Sequence, residues 1–582
     1  MITAVCKSTF VLLLLSAVAA NAGPIPDANG YVAQHECRAG NPNCDVDVVA
    51  LANQACEQTI HADTAPSNSW SAIDWSRNVI CIAAGNHFNR GTLTLASSGS
   101  PSRYKVLRYF RDQDNGDEPW NQDIDTKATI AAIDTNGAGH WAVHRFSFTQ
   151  SQCAPHVTIP ASSSHIILSR ILTEGIGGDG DTSSVLIDGS DIWLQNSVIR
   201  KCQIQVGRSY KGVNLNGARL RVINSEIYDC AKGVANSFFG INEDHVIENN
   251  DVYNTVFTDC NGNFTPNGDC AITKGLIAIS SGSQSRALPL IYIHNRIWGE
   301  KWCDTNVSCS GSGSSGMAVG GGANGSVGFV LRRNNIITDS GGGFENTSLS
   351  SADSSTNGST VGNILYRLLN FNTASNAGVS FCCSTATKDA HEIYLNTFID
   401  VHGAGWIQGG GITNSDVRCN AIISSQPATG LNGSGTQIDH NVYYDSGAGS
   451  GESNRIVNAV STRQSSHLYN VGEIVRTAVA ASCVTGAETA CYLYKVTRTG
   501  TSSSTNQSYC ASLGCTQTDG SVQLQAIRGP LVFKRKLRTT LGGEPYAIPF
   551  ARAHQSAPEA GSCPASTGAR QGIGVSDEPI FR

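Results

Sequence analysis

The stretch KGVNLNGARLRVINSEIYDCAKGVA, residues 211–235, contains two marks that return along much of the chain. One is a glycine followed by a large apolar residue, as in Gly212-Val213; the other is an Asn that ends an apolar alternation, as in Val222-Ile223-Asn224. The glycine mark returns at Gly233, Gly275, Gly316, Gly343, Gly378, Gly405 and Gly430, and the Asn mark at Asn196, Asn249, Asn295, Asn334, Asn363, Asn396, Asn420 and Asn441. Two marks that alternate in fixed order over about 250 residues indicate one structural unit used many times.

The spacing of the marks identifies the unit as a coil of short strands. Successive glycines lie as little as 21 residues apart, between Gly212 and Gly233, and as much as 42 apart, between Gly233 and Gly275. A propeller blade needs about 40 to 50 residues every time, and helical repeats show a 3.6-residue period, so neither fits. A coil of 21 residues accommodates three short strands with their turns, and stacking buries the apolar face that one coil leaves open. The sequence therefore predicts an all-β chain folded as a single parallel β-helix, a solenoid.

Asparagine suits one corner of each coil because it tolerates left-handed backbone dihedrals. Its side-chain amide can also bond to the Asn one coil away, as in other stacked sheets. We therefore expect a ladder of asparagines along the solenoid.

Four regions are predicted along the chain. Residues 1–22 have the pattern of a secretory signal peptide, an apolar run followed by Ala20-Asn21-Ala22, and the run is too short for a membrane anchor. In the N-terminal segment, residues 23–78, Asp45 to Thr59 has the pattern of an amphipathic helix that caps the open end of the solenoid. The β-helix spans residues 79–445, and residues 446–582 form a C-terminal cap and loop-rich region.

Composition limits the partners and the compartment. The net charge is −6 over 582 residues, only 15% of the residues are charged, and 61 are glycine. This is typical of a turn-rich extracellular β protein and argues against nucleic acid as a partner. No apolar run beyond the signal reaches the length of a transmembrane helix. We expect a secreted monomer, extracellular or periplasmic.

Twenty cysteines, nineteen once Cys6 is removed with the signal, suit an oxidising compartment. Cys202 and Cys230 each lie six residues after a corner Asn, so both occupy the same place on successive coils, within disulfide reach. Further pairs are close in sequence and are expected to staple loops: Cys37/Cys44, Cys260/Cys270, Cys303/Cys309, Cys483/Cys491 and Cys510/Cys515. Zinc ligation would require Cys-x-x-Cys pairs or a histidine cluster at ligand spacing, and the sequence has neither.

A row of lysines marks three consecutive coils. The residue before the repeat glycine is Lys211, Lys232 and Lys274 in turn, and then Ser315. If these positions stack, the side chains start about 5 Å apart. At an effective dielectric of about 20 each close pair of ammonium groups repels by roughly 3 kcal/mol, which lowers the pKa of the central Lys232. An anionic ligand explains such a row; the alternative is a set of solvated corner lysines that discourage edge pairing.

Loops predicted between the strands are long on both sides of Lys232 and short at Lys232 itself. The long ones follow Asn196, Asn250 and Asn295, and the short one follows Asn224. Two walls with a gap between them form a cleft, and loops on a rigid scaffold commonly carry function. Arg208 and Tyr210 end the long loop that leads into Lys211, and we expect them to face the same ligand.

Asp179-Gly180-Asp181 has the form of half a calcium-binding loop, since two carboxylates separated by a glycine can share one cation. The alternative is an ordinary Gly-Asp turn. Asp179 and Asp181 are therefore candidate ligands for Ca²⁺.

The alternating marks, the predicted N-terminal cap and the signal peptide together resemble the right-handed parallel β-helix proteins of the pectate-lyase-like superfamily. The resemblance covers about residues 79 to 445. The stretch from Ser190 to Ser197, SDIWLQNS, is similar to the Trp-Ile-Asp-His stretch of pectate lyases, but Gln195 and Asn196 replace its acidic and imidazole residues. The Asn-Thr-Asp, Asp-Asp and Gly-His-Gly pattern of polygalacturonases is missing. The resemblance implies a groove beside one sheet and, in many members, cleavage of acidic polysaccharides by β-elimination.

β-Elimination on a uronate needs a base for the proton beside the carboxylate, a cation for that carboxylate and an acid for the leaving oxygen. The catalytic residues are then Lys232 as the base, Lys274 as the cation at the reacting sugar and Tyr210 as the acid, while Lys211 and Arg208 bind substrate carboxylates. The sequence thus predicts a secreted polysaccharide lyase acting on an acidic, uronate-containing glycan. A non-catalytic surface adhesin, or a hydrolase or epimerase on the same fold, is the alternative.

Overall fold

The structure is a computed structural model that describes residues 54–528 with gaps. The gaps are residues 62–68, 84, 111–127, 150–154, 177–182, 203–210, 229, 231, 239–244, 254–273, 281–285, 299–314, 322–326, 341, 349–356, 369–377, 383–387, 390, 402–404, 410–411, 424, 426–427, 429–430, 432–433, 440, 445–455, 459, 477–492, 506, 508 and 511–513. For part of the strands, including Lys232 and residues 274–280, the backbone alone is described. The predicted signal peptide, residues 1–22, lies outside the described residues.

Three long sheets of parallel strands dominate the described chain. Sheet A has fourteen strands: Gln58–Ile60, Val79–Ala83, Lys105–Phe110, Gly139–His144, Ser164–Ser169, Ser190–Gln195, Leu220–Ile223, His245–Glu248, Arg286–Ile293, Val327–Arg333, Asn357–Val361, His391–Tyr394, Asp416–Arg418 and Gln437–Asp439. Sheet B has fourteen: Gly85–Asn86, Ala128–Ile130, Ser147–Thr149, Leu172–Ile176, Val198–Cys202, Glu226–Tyr228, Asp251–Tyr253, Arg296–Trp298, Ile336–Ser340, Ile364–Leu368, Thr397–Val401, Ala421–Ile423, Val442–Tyr444 and Ile456–Asn458. Sheet C has eleven: Thr92–Thr94, Ala132–Asp134, Val157–Ile159, Ser183–Ile187, Lys211–Leu215, Lys232–Phe238, Lys274–Ser280, Ser315–Gly321, Phe344–Ser348, Val379–Cys382 and Ile407–Gly409.

Each coil visits the three sheets in a fixed order. One coil runs through Ser190–Gln195 in sheet A, Val198–Cys202 in sheet B and Lys211–Leu215 in sheet C, before Leu220–Ile223 starts the next. Equivalent residues of successive coils pair in parallel register. The predicted parallel β-helix is therefore confirmed.

The inward residues of each strand stack into apolar columns that fill the solenoid. In sheet C, Val185, Val213 and Val234 form one such column and are at most 2% exposed. In sheet B, Ile199 and Ile227 form another and are fully buried. Burial of each such side chain contributes about 1.5–3 kcal/mol, and it is the stacking of coils that excludes water from it.

A ladder of asparagines fills the corner between sheets A and B. It consists of Asn250, Asn295, Asn335, Asn363, Asn396, Asn420 and Asn441, all fully buried. From Asn250 to Asn420, each side-chain amide donates to the side-chain oxygen of the next ladder Asn at 2.9–3.0 Å. The backbone N–H of the same residue donates to that oxygen as well. The ladder expected from the sequence is confirmed.

From Asn196 to Asn420 two successive residues share the corner, and in the later coils the left-handed one, such as His294 or Asn334, directly precedes the ladder Asn. Asn196 and Asn224 have left-handed backbones, with φ of 52° and 51°. The position of the ladder belongs to the next residue: the N–H of Ser197 donates to Ser225 Oγ, and the N–H of Ser225 donates to Asn250 Oδ1. The left-handed backbone and the ladder bond, which we expected of one Asn, therefore lie on successive residues.

The repeat glycine is required by the close approach of neighbouring coils. A Cβ on Gly343 would lie 2.2 Å from the carbonyl oxygen of Gly378 and 2.2 Å from Leu365 Cδ2. A Cβ on Gly212 would lie 2.7 Å from the carbonyl oxygen of Gly233. Real Cβ atoms do not approach backbone oxygens this closely, so the glycine is a packing requirement of the stack.

Gly343→Ala is therefore expected to lower the free energy of unfolding by about 3 kcal/mol, because the backbone of the adjacent coil must move. Urea denaturation would measure the change. The matched control is Gly139→Ala, where the nearest atom to the new Cβ is the Ser164 carbonyl oxygen at 3.1 Å. Equal stability of the two variants would contradict this explanation of the glycine mark.

The N-terminal end of the stack differs from the prediction. Gln58–Ile60 forms a strand that pairs with Val79–Ala83, so the helix predicted for Asp45 to Thr59 is wrong at its C-terminal end. Residues 45–53 lie outside the described residues. Strand pairing prevails because it buries Ile60 and satisfies the open edge of sheet A, which outweighs local helical preference.

Three disulfides have both cysteines among the described residues, and Cys419 is also disulfide-bonded. The predicted pairs Cys202–Cys230 and Cys510–Cys515 are confirmed. The third, between Cys56 and Cys81, ties the residues just before the first strand of sheet A to its second strand and was not predicted. The other predicted pairs lie outside the described residues: Cys37/Cys44, Cys260/Cys270, Cys303/Cys309 and Cys483/Cys491.

Antiparallel pairing begins after the last coil. A five-stranded sheet consists of Val460–Thr462, Ile474–Arg476, Leu493–Arg498, Val522–Arg528 and Thr516–Asp519; its first two strands pair in parallel and the others antiparallel. A smaller antiparallel pair joins Leu468–Tyr469 with Gly500–Thr501. Within the solenoid, Lys388–Asp389 pairs in parallel with Ile412–Thr413. The five-stranded sheet has its own apolar cluster, which includes Val496 and Leu524. The remaining helical element among the described residues is a short 3₁₀ turn, Phe88–Arg90. None of the described helices has the length and apolar character needed to span a bilayer.

A buried histidine makes the solenoid sensitive to acid. Burial lowers the pKa of His156 to about 4 from 6.5, and its side chain is fully buried. The unfolded chain binds this proton first, so stability is full above pH 6.5 and falls as the pH decreases towards 4. We expect a loss of about 3 kcal/mol between pH 6.5 and pH 4, and His156→Gln should reduce this loss. Urea unfolding at both pH values is the measurement; an unchanged pH dependence in the variant would contradict it.

Candidate functional site

The register of sheet C aligns the predicted lysines. Lys211 pairs with Lys232, and Lys232 pairs with Lys274, on three consecutive strands. Ser183 precedes Lys211 in the same column, and Ser315 follows Lys274. Because parallel strands lie about 4.8 Å apart, the lysine backbones have the spacing on which the expectation of a cationic row depends.

Each lysine is the first residue of its strand. Two residues after the lysines, Val213 and Val234 point into the core. The intervening glycines, Gly212 and Gly233, pack directly against each other. The backbone of the row is therefore anchored on its inner side. The side chain of Lys211 is half-buried.

The loops that lead into the lysines enter sheet C at the same edge. Three residues, 229–231, connect sheet B to Lys232, whereas eight residues, 203–210, lead to Lys211 and twenty, 254–273, lead to Lys274. The connectivity therefore matches the predicted alternation of long and short loops. Arg208 and Tyr210 lie in residues 203–210, outside the described residues, and their roles stay predictions.

The outside of sheet B carries a polar network directly before these loops. The Arg200 guanidinium donates to Glu174 at 2.7 Å and to the Tyr228 hydroxyl at 3.3 Å, and Lys201 pairs with the same carboxylate. Burial raises the pKa of Glu174, but hydrogen bonds from Lys201 and Arg200 outweigh it and leave the pKa below its usual value. The Tyr228 ring stacks on that of Tyr253, with centroids 4.8 Å apart. These contacts cross-link the coils that carry the lysines.

A second polar column, which we did not predict, borders sheet C at its other edge. His140 and His165 stack with ring centroids 4.4 Å apart, and Tyr104 meets the His140 ring edge-on. Asp191 accepts two hydrogen bonds of 2.6 Å from Arg219, and His165 Nε2 lies 3.8 Å from the same carboxylate. These polar residues recur in the sequence at intervals of one coil, and that recurrence could have predicted the column. The Asp191 carboxylate of this column is thus held by a neighbouring cation.

The structure does not test the proposed calcium ligands. Asp179 and Asp181 lie outside the described residues. Among the residues that are described, no group of three or more His, Cys, Asp and Glu side chains is arranged to hold a metal ion. The calcium site therefore stays a prediction.

A solenoid of parallel coils with a lysine row at one sheet edge defines the chain as a parallel β-helix protein. No protein-family model matches the sequence, and no curated protein matches it. Among solved structures, it is similar to the pectate lyase Pel9A, with 12% identity and a TM-score of 0.36 over 63% of this chain and 81% of that one. It is also similar to the PL6 family alginate lyase AlyGC, with 13% identity and a TM-score of 0.39 over 66% of this chain and 51% of that one. A third is PfbA, a surface adhesin of Streptococcus pneumoniae, with 9% identity and a TM-score of 0.32 over 73% of this chain and 92% of that one.

The sequence identity and the TM-score are both low for these three structures. The assignment of the fold rests on the parallel register of the three sheets.

Proposed function

We propose that the protein is a polysaccharide lyase that cleaves an acidic, uronate-containing glycan by β-elimination. The observation that carries the proposal is the in-register column of Lys211, Lys232 and Lys274 at the loop-bearing edge of sheet C. Three lysines at the spacing of the coils repel one another, and a polyanion laid along the solenoid axis offsets that repulsion. The rigid stack fixes the spacing of the lysine backbones before the ligand arrives, which favours both binding and catalysis.

The proposed chemistry uses one lysine as a base and its neighbours as cations. Neutral Lys232 removes the proton from the sugar carbon beside the carboxylate, and the electron pair is delocalised onto that carboxylate, where Lys274 neutralises it. The pair then forms a carbon–carbon double bond as the bond to the glycosidic oxygen breaks, and Tyr210 gives this oxygen its proton. Lys211 and Arg208 hold neighbouring carboxylates. Ca²⁺ on Asp179 and Asp181 would add positive charge near the substrate.

The compartment is part of the proposal. The described disulfides fit an oxidising environment, and residues 1–22 have the pattern of a signal peptide. We propose that the enzyme is exported and meets its polymer outside the cell or in the periplasm.

The purified protein is expected to generate unsaturated products from at least one member of a panel of uronate polymers. Proton abstraction by the base and elimination create a double bond that is conjugated with the carboxylate. The reaction is therefore monitored by the absorbance of this product at about 235 nm. A hydrolase would release reducing ends without that absorbance. Salt-sensitive binding with no cleavage of any polymer would indicate an adhesin and would refute the lyase.

A further inference from the structure

The Cys202–Cys230 disulfide lies directly behind two residues of the lysine row. Both cysteines are fully buried, and their Cα atoms are 4.5 Å apart. Cys202 is the last residue of its strand in sheet B, and Cys230 is separated from Lys232 by one residue. The cross-link thus joins the coil of Lys211 to the coil of Lys232; one residue separates it from Lys232, and eight residues, 203–210, separate it from Lys211.

The disulfide also packs against the strand that carries Lys211. The position of a Cβ on Gly212 is 3.4 Å from Cys230 Sγ and 2.8 Å from Ile227 Cγ2. The same position is 2.7 Å from the carbonyl oxygen of Gly233, the residue that follows Lys232. The sulfur, Gly212 and Gly233 therefore form one packed unit with no free space between them.

We infer that the Cys202–Cys230 disulfide is a positioning device that holds Lys211 and Lys232 at a fixed separation and thereby sets the base strength of Lys232. The inference rests on the proposed function of the lysine row. Like charges held close together favour the neutral form of one of them, and the effect falls as their separation grows. A cross-link one residue from Lys232 opposes the separation that repulsion would otherwise produce. Both cysteines act through the lysines and touch no substrate.

The test compares the wild-type chain with the Cys202→Ala/Cys230→Ala variant. Lysine reactivity towards acetic anhydride is measured against pH, with each acetylated peptide quantified by mass spectrometry. Without the disulfide, the midpoint for Lys232 is expected to move to higher pH by about one unit, and the low-pH limb of kcat/KM should move with it. The midpoint of Lys495, an exposed lysine of the C-terminal sheet, should not move.

The matched control is Cys510→Ala/Cys515→Ala, which removes a disulfide of the C-terminal region. If the Cys202–Cys230 disulfide contributes only to stability, the Lys232 midpoint is the same in both double variants as in the wild-type chain. That result would overturn the inference. If the alanine variant does not fold, Cys202→Val/Cys230→Ala retains more of the buried volume and undergoes the same test. Amine reactivity does not require turnover, so the role of the disulfide is decided even if no polymer is cleaved and the lyase proposal fails.

Discussion

Lys232→Ala is expected to lower kcat on a cleaved uronate polymer by about 100-fold to 10,000-fold, because the proposed base is removed while the neighbouring cations remain. KM should change little, because Lys211 and Lys274 lie on the adjacent strands and keep their proposed role of binding the substrate carboxylates. Steady-state measurement of the unsaturated product over a range of polymer concentrations separates the two constants. Lys211→Ala should show the opposite pattern, with a raised KM and a smaller change in kcat.

Two further variants distinguish a base from a binding cation. Lys232→Arg retains the positive charge, but a guanidinium does not lose its proton at working pH, so this variant should be as inactive as the alanine variant. Lys495→Ala removes an exposed lysine in the C-terminal sheet and should retain full activity. Wild-type turnover in Lys232→Ala would remove this residue from the mechanism.

Asn363→Ala is expected to lower the free energy of unfolding by about 3 to 5 kcal/mol, because several buried polar groups lose their partners at once. The Asn363 amide donates to Asn396 Oδ1 and to the carbonyl oxygen of Arg332, both at 2.9 Å. Its side-chain oxygen accepts the N–H and the amide of Asn335, at 2.9 and 3.0 Å. The apolar core around this corner offers no water to replace these bonds.

The measurement is urea denaturation of the variant beside two controls. Asn363→Asp retains the acceptor for Asn335 but lacks the donor, and it also buries a carboxyl group, so it should be destabilised as well. Asn470→Ala removes an exposed amide that bonds Glu473 at 3.2 Å, and it should change stability by less than about 0.5 kcal/mol. If Asn363→Ala and Asn470→Ala had the same stability, the ladder would not contribute to folding.

The coil period, the register and one inter-coil disulfide were predictable from the sequence for a single physical reason. Each coil buries one face, so a shift of one residue would turn Val213 and Val234 outward, and the apolar pattern therefore fixes the pairing. Once the register is fixed, Lys211 must lie beside Lys232, and Cys202 must lie within reach of Cys230. The lysine column and the disulfide are consequences of the same repeat.

Features that depend on contacts outside the repeat were not predictable. The pairing of Cys56 with Cys81 follows from the strand Gln58–Ile60, whose partner is chosen by the open edge of sheet A and leaves no periodic signal. The division of the corner between Asn196 and Ser197 depends on backbone dihedrals that either residue can adopt. The long loops carry no repeat either, so the roles of residues such as Tyr210 stay predictions.

The most direct test of the lysine row is a crystal structure of the Lys232→Ala variant with an oligomer of the uronate that the wild-type protein cleaves. We predict that the oligomer lies across sheet C at the loop-bearing edge, with its carboxylates within hydrogen-bonding distance of the Lys211 and Lys274 ammonium groups. An oligomer bound at another face, with both ammonium groups directed away from it, would contradict the proposed role of the lysine row.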